Sequence, residues 1–276
     1  MFVREKVIKA ILDSGENFMS GEQLSKKLGI SRTAVWKHIN ALREEGYNIE
    51  SVNKKGYRLA EKPDDILSSE NIAYNLPTEF IGKKVIHLDT VGSTNDYAKE
   101  IGNKVSGGTL IISEQQTKGK GRLGRVWKSK SGDGIWMSLI IKPKIEPYKA
   151  PFLTLVAGAS VVKALSNLDV EASIKWPNDI IVHNKKICGI LTELSAEMER
   201  VNYVVIGIGI NIKTIDFPDE IKEKATSLYK EGYKLSRVDI VRQFCIEFEK
   251  LYKGYILDGN KQDTLELCRK YSAIIG

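Results

Sequence analysis

The sequence predicts an α/β (α+β) chain in two parts: a small basic helical module, then a larger domain whose mixed β-sheet is packed by helices. Three patterns predict this. Apolar residues recur at helical spacing through the first 45 residues and then give way to a short alternating hairpin. From residue 84 onward, β-rich runs alternate with helical ones. Between the two lies a polar, proline-bearing stretch, residues 60–65, that breaks both periodicities. The expected domains are residues 1–62 and 68–276, with a linker at 63–67.

Bulk properties fit a packed globular protein. The 276 residues are 42% hydrophobic and 8% aromatic, which excludes a disordered chain. Charges run through residues 1–18 with no apolar signal-peptide core, so export is not expected. The longest apolar run, 152–162, is about 11 residues interrupted by Thr154, Gly158 and Ser160, short of the roughly 20 needed to span a bilayer, and reads as a buried helix. Cys188, Cys245 and Cys268 show no paired short spacing, so neither a disulfide framework nor a four-thiolate zinc site is expected, and a reducing cytoplasm fits. His38, His87 and His183 are dispersed, giving a histidine metal centre little support. The net charge of +7 is uneven: residues 1–62 hold 12 Lys and Arg against 8 Asp and Glu, +4 in all, which points weakly to an anionic partner for the front module.

Residues 3–12 form the first predicted helix, ended by the turn chemistry of Asp13-Ser14-Gly15. Ser20 stands three residues before Gln23, the spacing of a capping box, and Leu24 and Leu28 give the second helix an apolar face before Gly29. Ser31 caps a third helix through Glu45, with Ala34, Val35, Ile39 and Leu42 inward and Arg32, Thr33, Trp36, Lys37 and Asn40 outward. Two helices joined by Gly29-Ile30-Ser31 have the spacing of a helix-turn-helix, whose second helix reads a DNA major groove with its early residues. Strands at 48–53 and 57–60 flank the basic turn Lys54-Lys55-Gly56, suited to phosphate, and complete a winged helix-turn-helix. The expected DNA-contacting set is Ser31, Arg32, Thr33, Trp36, Lys37, Asn40, Lys54 and Lys55. A protein-binding three-helix module is the alternative, and Trp36 equally suits packing on the second domain.

In the larger domain, Ser68-Ser69-Glu70 opens a short helix, and strands are predicted at 84–89, 109–115, 134–142, 171–175, 180–183, 186–197 and 201–211. Ser93-Thr94-Asn95-Asp96 caps a helix between the first two strands. An apolar helix is expected over 148–168, with amphipathic helices at 236–252 and 262–271.

Four segments carry chemistry. Gly119-Lys120-Gly121-Arg122-Leu123-Gly124-Arg125-Val126-Trp127 combines close backbone approach, cations for phosphate or carboxylate, and an indole face; it fits a nucleotide or acyl-phosphate site and a basic surface loop alike. Lys175-Trp176-Pro177-Asn178-Asp179 suits a stiff turn at a sheet edge, where Asp179 either holds magnesium beside a phosphate or simply makes an Asn-Asp turn. Lys185 and Lys186 start a strand and point to opposite faces, so one turns toward a cleft or both are solvated. Gly207 and Gly209 remove alternate side chains before Asn211, leaving room for a ligand or for tight packing.

Taken jointly from Gly15 to Tyr271, these segments resemble the bifunctional biotin protein ligases and biotin operon repressors. The matching pieces stand in family order: the winged helix-turn-helix, Ser93-Thr94-Asn95, Gln116 before the 119–127 loop, then 175–179, 186–191 and 207–211. The resemblance implies a catalytic sheet of class II aminoacyl-tRNA synthetase/biotin ligase type. It implies that biotin and ATP yield biotinyl-5′-adenylate, with Mg2+, and that biotin then passes to a lysine of the biotin carboxyl carrier protein of acetyl-CoA carboxylase or a related carboxylase. It also implies a corepressor complex that dimerises on biotin operator DNA; from the short apolar runs, no membrane partner is expected.

By the same resemblance, Ser93, Thr94, Asn95, Gln116, Lys120, Gly121, Arg122 and Lys186 are matched to biotin-binding positions, with Lys186 and Arg122 catalytic. Gly119, Arg125, Trp127, Asn178, Asp179 and Asn211 are matched to the ATP or adenylate region, Trp127 against adenine and Asp179 at the metal. Lys120 stands where the family often has arginine, which keeps the charge and loses the bidentate fork. The loop is expected to be disordered when empty, because a glycine-rich segment loses entropy on closing. The small β-barrel that follows in the family is expected to be absent from these 276 residues. Three alternatives are a biotin-responsive regulator with weak or no ligase activity, a lipoyl or octanoyl ligase, and a DNA-binding module fused to a nonenzymatic oligomerisation domain, which leaves the loop and Lys186 unexplained.

Overall fold

The computed structural model describes residues 3–60, 65–198 and 200–273. Residues 63 and 64 of the predicted linker and the last three of the chain lie outside the described residues. The chain divides into two compact units, Met1–Tyr74 and Asn75–Gly276.

The first unit contains α1 (Val3–Asp13), α2 (Gly21–Leu28), α3 (Arg32–Glu44), the antiparallel pair β1 (Ile49–Val52) and β2 (Gly56–Leu59), and α4 (Ser69–Ala73). Local signals set its helix ends. Ser20 Oγ accepts from the Gln23 N–H at 3.1 Å while Gln23 Oε1 accepts from the Ser20 N–H at 2.7 Å, a reciprocal cap, and Gly29 ends α2 in the left-handed region at φ 66°. Ser31 caps α3 through the Ala34 N–H. Val7, Ile8 and Ile11 of α1, Leu24 of α2, and Val35, Ile39 and Leu42 of α3 make the core. Met19 pairs with Tyr57 through two backbone hydrogen bonds of 2.9 Å, which pins the wing to the start of α2. Helix α4, which the sequence assigned to the second domain, belongs to this unit. Ser68 Oγ and Tyr47 Oη lie 2.8 Å apart, Tyr74 donates to the Leu12 carbonyl, and Ile66 and Tyr74 pack on the first core.

The second unit is built on one seven-stranded sheet of order β3-β4-β5-β9-β8-β7-β6, formed by β3 (Val85–Val91), β4 (Thr109–Gln116), β5 (Gly134–Ile141), β6 (Ser173–Lys175), β7 (Asp179–Val182), β8 (Lys185–Glu197) and β9 (Arg200–Asn211). Only β3 and β4 pair in parallel, joined by α5 (Thr94–Ile101); every other neighbouring pair is antiparallel. Side chains alternate across a strand. Ile111, Ile140 and Val205 meet Ala98 of α5 on one face. On the other face α6 (Phe152–Ser166) lies against β6, β7 and β8 and against α7 (Arg237–Leu257) and α8 (Gln262–Lys270). Helix α6 is apolar nearly all round because it is covered nearly all round, with Leu153, Val156, Val161, Val162 and Leu165 buried.

A buried carboxylate ties α7 to the start of this unit. Glu249 accepts from the backbone N–H groups of Glu79 at 2.6 Å and of Phe80 and Ile81 at 2.9 Å. Burial pushes its carboxyl up, but the three amides and nearby Lys253 outweigh this and hold it below the ordinary value of 4.5. A depressed carboxylate stabilises the fold fully above the unfolded value and loses that contribution as pH falls through the folded one. Glu249→Gln is therefore expected to cost about 1–3 kcal/mol at pH 7. Thermal melts of both proteins should show the gap narrowing below pH 4.5.

Candidate functional site

The sheet face under α5 carries one concavity of about 460 Å³, its open mouth included. Its floor is β9 and β8 where side chains are missing. A Cβ at Gly207 would collide with the Asn95 amide, and one at Gly209 or Gly189 would strike the Trp127 indole. These positions are glycine because two side chains of the site lie directly on the strands.

Helix α5 supplies the first wall. Ser93 is its N-cap, and Thr94 and Asn95 sit buried in the first turn. The Asn95 amide is held at both ends: Nδ2 donates to Glu193 Oε2 at 2.8 Å and to the Leu191 carbonyl at 3.3 Å, while Oδ1 lies 2.5 Å from Ser138 Oγ. Gln116 follows at the end of β4, with Oε1 accepting from the Thr94 N–H at 2.8 Å.

The 119–127 loop supplies the lid. Gly121 N–H donates to the Arg125 carbonyl and Trp127 N–H to the Gly119 carbonyl, so the segment is a hairpin whose tip, Leu123, sits in the left-handed region at φ 56° and is 90% exposed. Trp127 folds back from the stem over the floor. Its Nε1 is buried against Gly209 on the floor and has no hydrogen-bond partner among the described residues.

Each cation of the cavity is already paired. Lys120 Nζ lies 2.6 Å from Asp96 Oδ2, Arg122 Nη1 donates to Asn178 Oδ1 at 2.6 Å, and Lys186 Nζ lies 2.7 Å from Asp179 Oδ1 and 5.3 Å from the Trp127 ring centroid. Burial works against the Asp96 carboxylate, but Lys120 and Lys99 overcome it and hold its pKa below the usual range. Lys99 also bonds Glu193 at 2.7 Å, so an alternating ladder runs from Lys120 through Asp96, Lys99 and Glu193 to Asn95. These pairs orient the charges without removing them, so an incoming anion exchanges for a partner instead of meeting bare cations.

Of the residues singled out in the sequence, Ser93, Thr94, Asn95, Gln116, Lys120, Gly121, Arg122, Trp127, Asn178 and Lys186 line the cavity. Four others do not. Gly119 lies in the loop stem, Arg125 is exposed on the hairpin, Asp179 at the start of β7 pairs with Lys186, and Asn211 donates to the Thr226 carbonyl at 3.2 Å. Asp96, Ser129, Ser138 and Glu193 were missed; only Ser138, a lone hydroxyl in the apolar run IWMSLII, stood out from its neighbours. The three cysteines are buried, and burial pushes their thiols up, Cys245 to about 12 and Cys268 to about 11, so none is a nucleophile here.

In the first unit, Arg32, Thr33, Trp36 and Lys37 are exposed on one side of α3, beside exposed Ser31, and Lys54 and Lys55 are exposed at the wing. Trp36 is 54% exposed; Asn40 is half-buried and accepts from Arg43 Nη1.

A winged helix-turn-helix joined in one chain to a mixed sheet with a cation-lined pocket defines a class, that of ligand-using regulators with a DNA-binding front. Comparison narrows it. Residues 3–58 match the HTH domain family and residues 88–211 the biotin/lipoate A/B protein ligase family. The chain is 45% identical over 262 residues to the bifunctional ligase/repressor BirA of Bacillus subtilis, covering 93% of this chain and 80% of that protein. It is 37% identical over 230 residues to its namesake in Escherichia coli, covering 83% and 70%. The biotin protein ligase of Aquifex aeolicus, solved with biotin and ATP, matches at a TM-score of 0.61 and 33% identity over 69% of this chain and 79% of that one. The chain belongs to the bifunctional biotin ligase/repressor family.

Because Gly209 is glycine to seat Trp127, Gly209→Ala is expected to lift the indole from the floor. Tryptophan emission should shift to the red, with a stability loss of about 1–3 kcal/mol in denaturant melts.

Proposed function

We propose that this protein is an ATP-dependent biotin protein ligase and a DNA-binding repressor, with the cavity on the β8–β9 face as the site of both half-reactions. The observation that carries the reading is the convergence of Lys186, Arg122 and Lys120 on a pocket floored by glycines and walled by the neutral polar groups of Ser93, Thr94, Asn95 and Gln116. Neutral amides and hydroxyls satisfy a ureido ring without adding charge, and the cations suit the acid end of biotin and a nucleotide phosphate.

In the first half-reaction two anions meet. A biotin carboxylate oxygen attacks the α-phosphorus of ATP, the bond to the bridging oxygen breaks, and pyrophosphate leaves. Lys186 leaves Asp179 for the carboxylate and α-phosphate, offsetting their repulsion, and Arg122 leaves Asn178 for the phosphate of the product. In the second, the ε-amine of an acceptor lysine attacks the acyl carbon, the C–O bond to AMP breaks, and the amine gives up its proton as the amide forms. The hairpin shelters the mixed anhydride from water between these steps. The adenine ring packs on the Trp127 indole.

Magnesium would be held mainly by substrate phosphates together with one carboxylate, the habit of a hard cation. Among the described residues no group of three His, Cys, Asp or Glu side chains converges, but Asp179, with Oδ1 shielded from solvent, fits that single-carboxylate role once Lys186 has turned to substrate. The ion would offset charge on the pyrophosphate. Gly119, Arg125 and Asn211 act around the nucleotide through the loop backbone and the end of β9.

The acceptor is the biotin carboxyl carrier protein of acetyl-CoA carboxylase or a related carboxylase. Ser31, Arg32, Thr33, Trp36, Lys37 and Asn40 face the operator major groove, and Lys54 and Lys55 its backbone. The adenylate-bound protein acts there as a homodimer in the cytoplasm.

The direct test is incubation with ATP, Mg2+, biotin and an acceptor domain, followed by intact mass. One added biotinyl group is expected; an unchanged acceptor with folded protein overturns ligation. Lys186→Ala is expected to lower biotin-dependent pyrophosphate release by about 100-fold or more with an unchanged melting curve. Replacing Arg32 and Lys37 together by alanine is expected to weaken operator binding and flatten its salt dependence by about one to two units of slope, with biotinylation retained.

A further inference from the structure

The Gln116 amide has one orientation compatible with its neighbours. A backbone N–H can only donate, and that of Thr94 lies 2.8 Å from one end of the Gln116 side chain, so this end is Oε1; the Thr94 hydroxyl lies 3.1 Å from the same atom. The other end is therefore Nε2, and it donates to Ser129 Oγ at 2.8 Å. Ser129 is 5% exposed and passes its own proton to the Trp127 carbonyl at 3.2 Å. With both acceptor sites of Oε1 engaged, what Gln116 has left for a ligand is a single N–H.

The same serine crosses the stem of the loop. Gln116 N–H donates to the Ser129 carbonyl at 3.1 Å, and Trp127 N–H donates to the Gly119 carbonyl at 2.9 Å. A Cβ on Gly119 would stand 2.9 Å from Ser129 Oγ and 3.1 Å from Gln116 Nε2, so the glycine closes over this hydrogen bond and shields it. One buried hydroxyl thus joins a pocket amide, the loop stem and the carbonyl of the residue whose indole covers the floor.

We propose that Ser129 is a positioning residue: it holds the Gln116 amide with its remaining N–H turned to the pocket and ties recognition of a ring carbonyl to the stem of the 119–127 loop. The proposal rests on the reading that the cavity takes biotin, and the group addressed is the ureido carbonyl. Without the Ser129 hydroxyl, Oε1 keeps the Thr94 N–H, but Nε2 loses the partner that fixes its tilt, and its remaining N–H swings away from the direction that suits a carbonyl. The chemistry at the acid end, carried by Lys186 and Arg122, is untouched.

The test is the biotin dependence of pyrophosphate release in a double-mutant cycle of Ser129→Ala and Gln116→Ala in the full chain. Ser129→Ala is expected to raise the KM for biotin about tenfold with kcat changed by less than about twofold, and to add nothing to the KM of Gln116→Ala. An unchanged KM in Ser129→Ala, or the same tenfold rise in the Gln116→Ala background, overturns the proposal. Ser129→Cys, close in volume but a weak hydrogen-bonding group, goes through the same cycle and is expected to give the same pattern, so the proposal stays testable if the alanine variant misfolds. Parent protein that shows no biotin-dependent pyrophosphate release overturns the biotin reading itself, a result distinct from either outcome for Ser129.

Discussion

Three absent side chains on adjacent strands govern the second unit. Gly207 and Gly209 on β9 and Gly189 on β8 let Asn95 come down from α5 and Trp127 fold back from the loop onto bare backbone. Everything else at the site follows from that descent. Asn95 reaches Ser138 and Glu193 only because Gly207 leaves room, and Lys186 lies over the indole only because the indole lies on the sheet. A methyl group at any of the three would lift one wall of the cavity off its floor.

On this floor the charges are held in pairs. Lys120, Arg122 and Lys186 come from a hairpin and a strand, and their partners Asp96, Asn178 and Asp179 come from a helix, a turn and a neighbouring strand, so each pairing crosses between elements. Such partly exposed pairs add little stability. Their effect is geometric: they hold three flexible cations at the cavity wall, which lowers the ordering entropy to be lost when an anion binds. An ammonium that moves from a carboxylate of the chain to a carboxylate or phosphate of the substrate remains partnered throughout.

The two units carry opposite kinds of surface. The winged helix-turn-helix presents exposed cations and an exposed indole on one helix with a basic wing turn, as binding a duplex demands, whereas the cations of the second unit line a concavity. In the proposed function these are the repressor and ligase halves of one activity linked by the adenylate.

Much of this could be read from the chain alone. Capping and periodicity act within about four residues, so Ser20 with Gln23, Ser31 and the wing turn were legible, as were the order of strands and helices and the ten expected ligand-site residues that line the cavity. Tertiary structure decided what no local signal encodes. It placed α4 on the first unit, turned Asn211 toward Thr226, and folded the 119–127 loop as a hairpin. It also chose partners far apart in sequence, such as Asn95 with Glu193 and Thr94 with Ser138. The physical reason is range: a cap or an apolar stripe is satisfied by its own neighbours, while a buried amide or a paired cation is satisfied by whatever the sheet order brings alongside it.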